Sequence, residues 1–317
     1  MTEPMTEPMT APVKGPMTEP LKLPDVGLGG GPLGNYLRPI SDAQAEAVVQ
    51  TAWEEGVRYF DTAPFYGLGL AEQRMGRVLR GVPRDDYVLS TKVGRLVRPG
   101  AGAPPIFAVS NDRHVEWDFS ADGVLRSVSE SLDRLGVDRI DILFIHDPDD
   151  HWRQAIDSAF PALASLRDQG VVRAIGIGMN QSRMLVDFVK HADPDVLLAA
   201  NQATLLRRSA FDELLPLCRE RGITVVAGAL FHRGELAAPG PDASEEVRRI
   251  AAVCDRYGVP IAAAAMRFPL RHPAVRSILL GAHEPAQVRA NLAAFRRPIP
   301  EEVWAALDAL DVEAAAT

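Results

Sequence analysis

Four side chains of this sequence are of types that move protons, and each stands where a chain would present it: Asp61, Tyr66, Lys92 and His146. Asp61 closes the apolar run "VRYFD" (57–61), and Tyr66 follows on the tight loop "TAPFYG". Lys92 ends "YVLSTK" (87–92), and His146 ends "IDILFIH" (140–146). A phenol titrates near ~10, too high to shuttle protons unaided at neutral pH. A neighbouring ammonium favours the phenolate and lowers that value, and a carboxylate beside the ammonium keeps it charged and in place. A histidine at the same rim orients a substrate oxygen. Together they make a tuned acid/base tyrosine facing a carbonyl or hydroxyl. The set has no nucleophile of its own, so a hydride carrier has to come from outside. Singly, each residue has a plainer role: a turn cap, a packed aromatic, a snorkelling lysine, a structural histidine.

Whether the four meet depends on the elements that carry them. Eight short apolar runs read as strands: 23–29, 57–61, 87–92, 140–146, 172–178, 196–202, 223–228 and 275–281. Helix signals lie between them. Ser41 opens "SDAQ", a capping box with Gln44 placed to reach back. Ser120 caps a helix that ends at Leu135, and Gly136, Gly170, Gly222 and Gly258 stand where left-handed terminators belong. Eight βα units in about 250 residues predict a (β/α)8 TIM barrel, a single α/β domain over 21–317. Such barrels gather their chemistry at the C-terminal ends of the strands, so strands two, three and four deliver Asp61, Tyr66, Lys92 and His146 to one rim. Two doubly wound sheets are the competing arrangement. Against them, the glycine-rich "GLGGGPLG" (27–34) opens no helix directly, as a dinucleotide fingerprint would.

The composition narrows the function classes. A hydrophobic fraction of 47% and a charged fraction of 24% are those of an ordinary globular protein. A net charge of −8 argues against nonspecific binding to nucleic acid or to an anionic membrane. Two cysteines, Cys218 and Cys254, make no disulfide framework, and the cytoplasm is the expected compartment. No apolar run approaches membrane-spanning length. Residues 1–20 repeat MTEP three times, lack the pattern of a signal peptide and read as a disordered tail.

With these residues in place, the sequence resembles the aldo-keto reductases over nearly all of 21–310. The stretches that carry the resemblance are "FDTAPFYG", "STKVGR", "DILFIHDPD", "AIGIGMNQ", "NQATLL" and "LLGAHEPAQVRANLAAF". The aldose 1-dehydrogenase-like branch is the most similar, through "GRLVRP" (94–99) and "WDFSADG" (117–123). The family's acid, tyrosine, lysine and histidine fall on Asp61, Tyr66, Lys92 and His146. The resemblance implies a nicotinamide dinucleotide across the barrel mouth and a small carbonyl or sugar substrate, preferably an aldose oxidised at C1 to its lactone. It also implies cofactor contacts: Gly29 and Gly30 at the nicotinamide ribose, and Gln202 at the carboxamide.

The sequence departs from the family in three places. Gly178 and Met179 replace a Ser-Asn pair, which leaves Asn180 to reach the carboxamide. Gly228 replaces a stacking tyrosine, which leaves Phe231 as the ring candidate. After the last strand, alignment on Asn291 puts Gly281 and Gln287 where a lysine and an arginine would clamp a 2′-phosphate. Glu284 lies between them, suited to a ribose 2′-hydroxyl and repelling a phosphate. NAD is therefore expected over NADP, with Arg289 a solvated helix-face residue. The long connection 93–119 is expected to overhang the mouth, with Trp117, and more weakly His151 and Trp152, as substrate contacts.

Three rival functions have a residue basis. Lys92 would serve as the Schiff-base lysine of an aldolase, but that leaves Tyr66 and Asp61 without a task. The cluster "HDPDDH" (146–151) would suit a barrel metallohydrolase, but the first strand lacks the histidines such sites use, and no metal is expected. A non-catalytic regulatory subunit would have no need of all four rim residues.

Overall fold

The computed structural model describes residues 21–310, so the tail expected at 1–20 lies outside the described residues. Ten strands occur among the described residues, in chain order: β1 Val26–Gly29, β2 Tyr59–Asp61, β3 Val88–Val93, β4 Arg95–Pro99, β5 Arg113–Trp117, β6 Ile142–His146, β7 Ala174–Met179, β8 Val196–Ala200, β9 Thr224–Gly228 and β10 Val275–Leu280. Eight of them close a parallel barrel in the order β1, β2, β3, β6, β7, β8, β9, β10 and back to β1. These are the eight runs read from the sequence. Their residues are apolar on both faces because both faces are covered. Tyr59, Phe144, Val196, Leu198 and Val226 fill the interior. Leu89, Leu143, Ile175, Leu197 and Val225 face outward onto the helices.

The helix ends follow from local chemistry, with one correction. Ser41 caps the helix Asp42–Glu54 by accepting from the Gln44 backbone N–H at 3.2 Å. The return bond of a capping box is not made. Gln44 Nε2 instead donates to the His283 carbonyl at 2.9 Å, tying this helix to the loop after β10. Ser120 caps Ala121–Leu135, accepting from Gly123 N at 3.0 Å. Gly136, Gly170, Gly222 and Gly258 all adopt positive φ at helix ends.

Residues 93–119 are more ordered than a loop. β4 and β5 pair antiparallel, with Arg95 opposite Trp117. Glycine is required where the chain leaves β3 for this hairpin. Gly94 has φ 97°, and a Cβ there would lie 2.0 Å from Phe119 Cε1. The hairpin therefore sits directly on the rim that ends in Lys92. Gly34 does the same for the tyrosine loop, since a Cβ there would meet the Tyr66 carbonyl carbon at 2.4 Å. The first loop and the Tyr66 loop are thus packed backbone to backbone.

Candidate active site

β2 and β3 are hydrogen-bonded neighbours in which Asp61 pairs with Ser90, one residue removed from Thr91 and two from Lys92. That register puts Asp61 and Lys92 at the same barrel end. Lys92 Nζ donates to Asp61 Oδ2 at 2.7 Å and to the Thr62 carbonyl at 2.8 Å. Ser90 Oγ donates to Asp61 Oδ1 at 2.7 Å, and Tyr59 OH lies 3.1 Å from Ser90 Oγ. The carboxylate is held at both oxygens. Lys92 Nζ also sits 4.7 Å from the centroid of the Tyr66 ring, and His146 meets that ring edge-on at 5.8 Å. The structure brings all four rim residues together.

Burial sets their protonation states. It disfavours the Lys92 charge, but the Asp61 carboxylate and the Tyr66 phenol outweigh it and hold the ammonium above the usual lysine range. Lys92 is therefore charged, which is the opposite of what a Schiff-base nucleophile needs. Burial pushes His146 well below the usual histidine range, with Arg95 and Lys92 adding to the effect, so its imidazole is neutral. Tyr66 corrects an expectation. Lys92 does lower the phenol, but burial raises it more, and the net direction is upward. Before a cofactor adds its own charge, Tyr66 is firmly a phenol.

Two further residues complete the rim, and the four-residue reading missed both. Asp147 follows His146, and its Oδ2 accepts from Arg95 Nη2 at 2.9 Å and lies 3.5 Å from His146 Nε2. Arg95, the first residue of β4, lies over the rings of Phe65 and Trp117 at 4.3 and 4.4 Å. The available signal was their position, since "GRLVRP" and "HDPDD" each begin within three residues of a rim residue.

The expected substrate contacts separate. Trp117 stacks on His151 at 5.5 Å, with interplanar angle 21°, beside Phe119. Trp152 is not in this stack. It meets Phe188 and His191 edge-on, packed against the helix Ser182–His191.

Among the expected cofactor contacts, Gln202 and Asn180 are adjacent. Gln202 Nε2 donates to the Asn180 carbonyl at 2.6 Å, and Gln202 Oε1 accepts from Ser209 at 2.8 Å. Asn180 Nδ2 donates to Asp147 at 3.2 Å. Phe231 is half-buried and packs against two apolar clusters. Its loop carries positive φ at Ala229, His232 and Arg233. Gly281 lies under Pro32, whose Cγ would be 2.8 Å from a Cβ there. Gln287 Oε1 accepts from His283 N at 2.7 Å, and Glu284 accepts from Arg38 at 2.7 Å. Arg289 points to Glu55 at 3.6 Å. Asn291 lines a small void beside Val26, Gly27 and Leu280.

These residues fit a nicotinamide dinucleotide. Thr62 Oγ1 is buried at the mouth without a protein partner, 3.2 Å from where a Gly30 Cβ would stand. A Cβ on Gly31 would meet nothing within 4 Å, which leaves open space along the first loop. Among the described residues, no group of three or more His, Cys, Asp or Glu is placed to hold a metal ion, and no helix is long and apolar enough to cross a membrane.

Comparison with known proteins agrees with this geometry. The model of the Aldo/keto reductase family matches residues 25–312. The chain is 42% identical to a D-threo-aldose 1-dehydrogenase of Pseudomonas sp, over 90% of this chain and 94% of that one. It is 39% identical to a pyridoxal 4-dehydrogenase of Microbacterium luteolum, over 89% and 92%. A solved aldo-keto reductase of Bacillus halodurans, in its holo form, superposes with TM-score 0.75 at 28% identity, over 92% and 93% of the two chains.

Proposed function

The chain belongs to the aldo/keto reductase family and is a nicotinamide-dependent oxidoreductase, and from that premise we propose that it oxidises an aldose at C1 to its lactone. The observation that carries the reading is the buried Lys92–Asp61 pair set against the Tyr66 ring, with neutral His146 on the ring's edge. The 42% identity to an aldose dehydrogenase supports the substrate class.

In this reading the bound nicotinamide supplies only the hydride exchange, and the chain does the rest. His146 donates a hydrogen bond to the reacting oxygen and orients it. Tyr66 OH gives its proton to a carbonyl oxygen during reduction, or its phenolate takes the proton of the C1 hydroxyl during oxidation. Lys92 stabilises that phenolate, and Asp61 keeps Lys92 charged and fixed. Gly29, Gly30, Thr62, Asn180 and Gln202 would hold the nicotinamide half.

We assign NAD as the preferred cofactor. Pro32 leaves no room for a lysine at 281, Gln287 is engaged by His283 N, and Arg289 is turned to Glu55. Glu284 meanwhile neutralises Arg38, the nearest cation on the first loop. We place the protein in the cytoplasm, a reading supported by two buried free thiols, Cys218 and Cys254, which burial pushes up to about 12 and about 11.

The test is a panel of aldoses, simple aldehydes and pyridoxal, followed by absorbance of the reduced cofactor with NAD and with NADP. Aldose oxidation with NAD is the expected outcome. Turnover confined to pyridoxal, or to aldehyde reduction, would replace the aldose reading with one of those.

A further inference from the structure

Arg95 and Asp147 form a charged pair at the mouth to which the proposed proton chemistry gives no task. Arg95 is 6% exposed, and its Nε is buried without a partner. Asp147 keeps 19% of its side chain open. It sits at φ 39°, a left-handed conformation that residues bearing a Cβ rarely adopt. That turn aims the carboxylate back over the site, with Oδ2 3.5 Å from His146 Nε2 and Oδ1 accepting from Asn180. The aromatic wall stands beside it: Trp117, 44% exposed, carries the Arg95 guanidinium at 4.4 Å.

Taking both charges out of water gains little stability against an apolar pair of similar volume. Strained backbone beside a reacting group is a usual mark of a functional site. Chemically, an anionic acceptor and a cationic donor one hydrogen-bond length apart match a hydroxyl, which both donates and accepts. An alkyl chain offers neither.

We propose that Arg95 and Asp147 are a hydroxyl clamp. Asp147 accepts from, and Arg95 donates to, the hydroxyl on the carbon next to the reacting one, with Trp117 walling the site beside them. This rests on the aldose reading above and names the residues that select it: the pair favours polyhydroxylated aldehydes and their hemiacetals over alkyl aldehydes. Neither residue touches the transferred proton, so both are specificity determinants rather than acid/base groups.

Glyceraldehyde and propanal share a carbon chain and differ in hydroxyls, so they isolate the clamp. The wild type should favour glyceraldehyde in kcat/KM. Arg95→Met and the near-isosteric Asp147→Asn should each lower kcat/KM for glyceraldehyde roughly 10- to 100-fold more than for propanal, the range for a lost hydrogen bond to a charged group. Propanal turnover reports that each variant is folded. Equal losses on both substrates, or a wild type without preference, would make the pair a structural tie and overturn the proposal. A wild type that reduced neither aldehyde would leave the functional reading to the aldose oxidation panel above. The clamp is then judged by calorimetric titration of Tyr66→Phe protein, with NAD bound, by D-arabinose. Adding Arg95→Met should weaken that binding about tenfold or more, and unchanged affinity would overturn the clamp.

Discussion

Two ion pairs at the barrel mouth have the same N–O distance, 2.7 Å, in opposite surroundings. Lys92 and Asp61 are 2% and 3% exposed, while Arg38 and Glu284 are 48% and 46% exposed. The inner pair is saturated, because Lys92 also donates to the Thr62 carbonyl and Asp61 also accepts from Ser90. Deleting one partner there leaves a buried charge uncompensated, at a cost of about 3–5 kcal/mol. The outer pair is screened by water and contributes about 0–1 kcal/mol. Distance alone therefore says nothing about consequence. The inner pair is tied to the packing of the fold and, in the proposed mechanism, to its chemistry, whereas the outer pair can change without disturbing that packing.

Breaking the inner pair should have the largest effect. Lys92→Met removes the cation that lowers the Tyr66 phenol and strands Asp61. Activity should fall at least about 100-fold, and Tm should drop by roughly 5–10 °C. Melting curves and steady-state rates on the same preparation check both. Tyr66→Phe sharpens the contrast, since it deletes the proton donor without stranding a charge. It should lose about 10²- to 10⁴-fold in turnover, with Tm and cofactor affinity close to wild type. Retention of half the activity would exclude Tyr66 as the acid/base.

The pH profile is the next measure of the inner region. With His146 held neutral well below its usual range, neither direction should show an inflection near pH 6.5. Reduction consumes the phenol, and a raised Tyr66 keeps that form populated, so the rate should stay level through neutrality and fall only at strongly alkaline pH. Oxidation consumes the phenolate and should rise with pH over the same span. An acidic limb that tracks histidine ionisation in either direction would contradict the assignment.

The contrast between inner and outer regions also explains what was legible in the sequence. The eight barrel strands are covered on both faces and read as apolar runs, and residues at their ends fall together by the geometry of the barrel. Asp61, Tyr66, Lys92 and His146 were legible for that reason. The hairpin β4–β5 was not, because "RLVRP" and "RHVEW" are short, charged and half-exposed, and the proline- and glycine-rich stretch between them resembles a loop. Arg95 and Asp147 were hidden by the same ordering. Their partnership spans 52 residues and depends on how the hairpin folds back over the mouth. Where Trp152 packs was not legible either, because its edge-on contacts with Phe188 and His191 join segments more than 30 residues apart. The net upward direction at Tyr66 depends on burial, which the residue list alone does not contain.

The smallest expected effect lies at the outer pair, where it is also the most specific. Arg38 is a cation that sequence alignment at 281–291 would not include, since it comes from the first loop, 246 residues away from Glu284 in the chain. While Glu284 holds it, Arg38 offers little to a 2′-phosphate, and the carboxylate itself repels one. Glu284→Ala removes the repulsion and frees the guanidinium, whose forked donors suit phosphate oxygens. The ratio of kcat/KM for NAD over NADP should then narrow, by about tenfold or less because both groups face water. Tm should hardly move. Arg38→Ala added to Glu284→Ala should restore part of the NAD preference, which a simple loss of repulsion would not do. Two outcomes would break this account: a wild type that favours NADP, or a Glu284→Ala enzyme whose preference is unchanged.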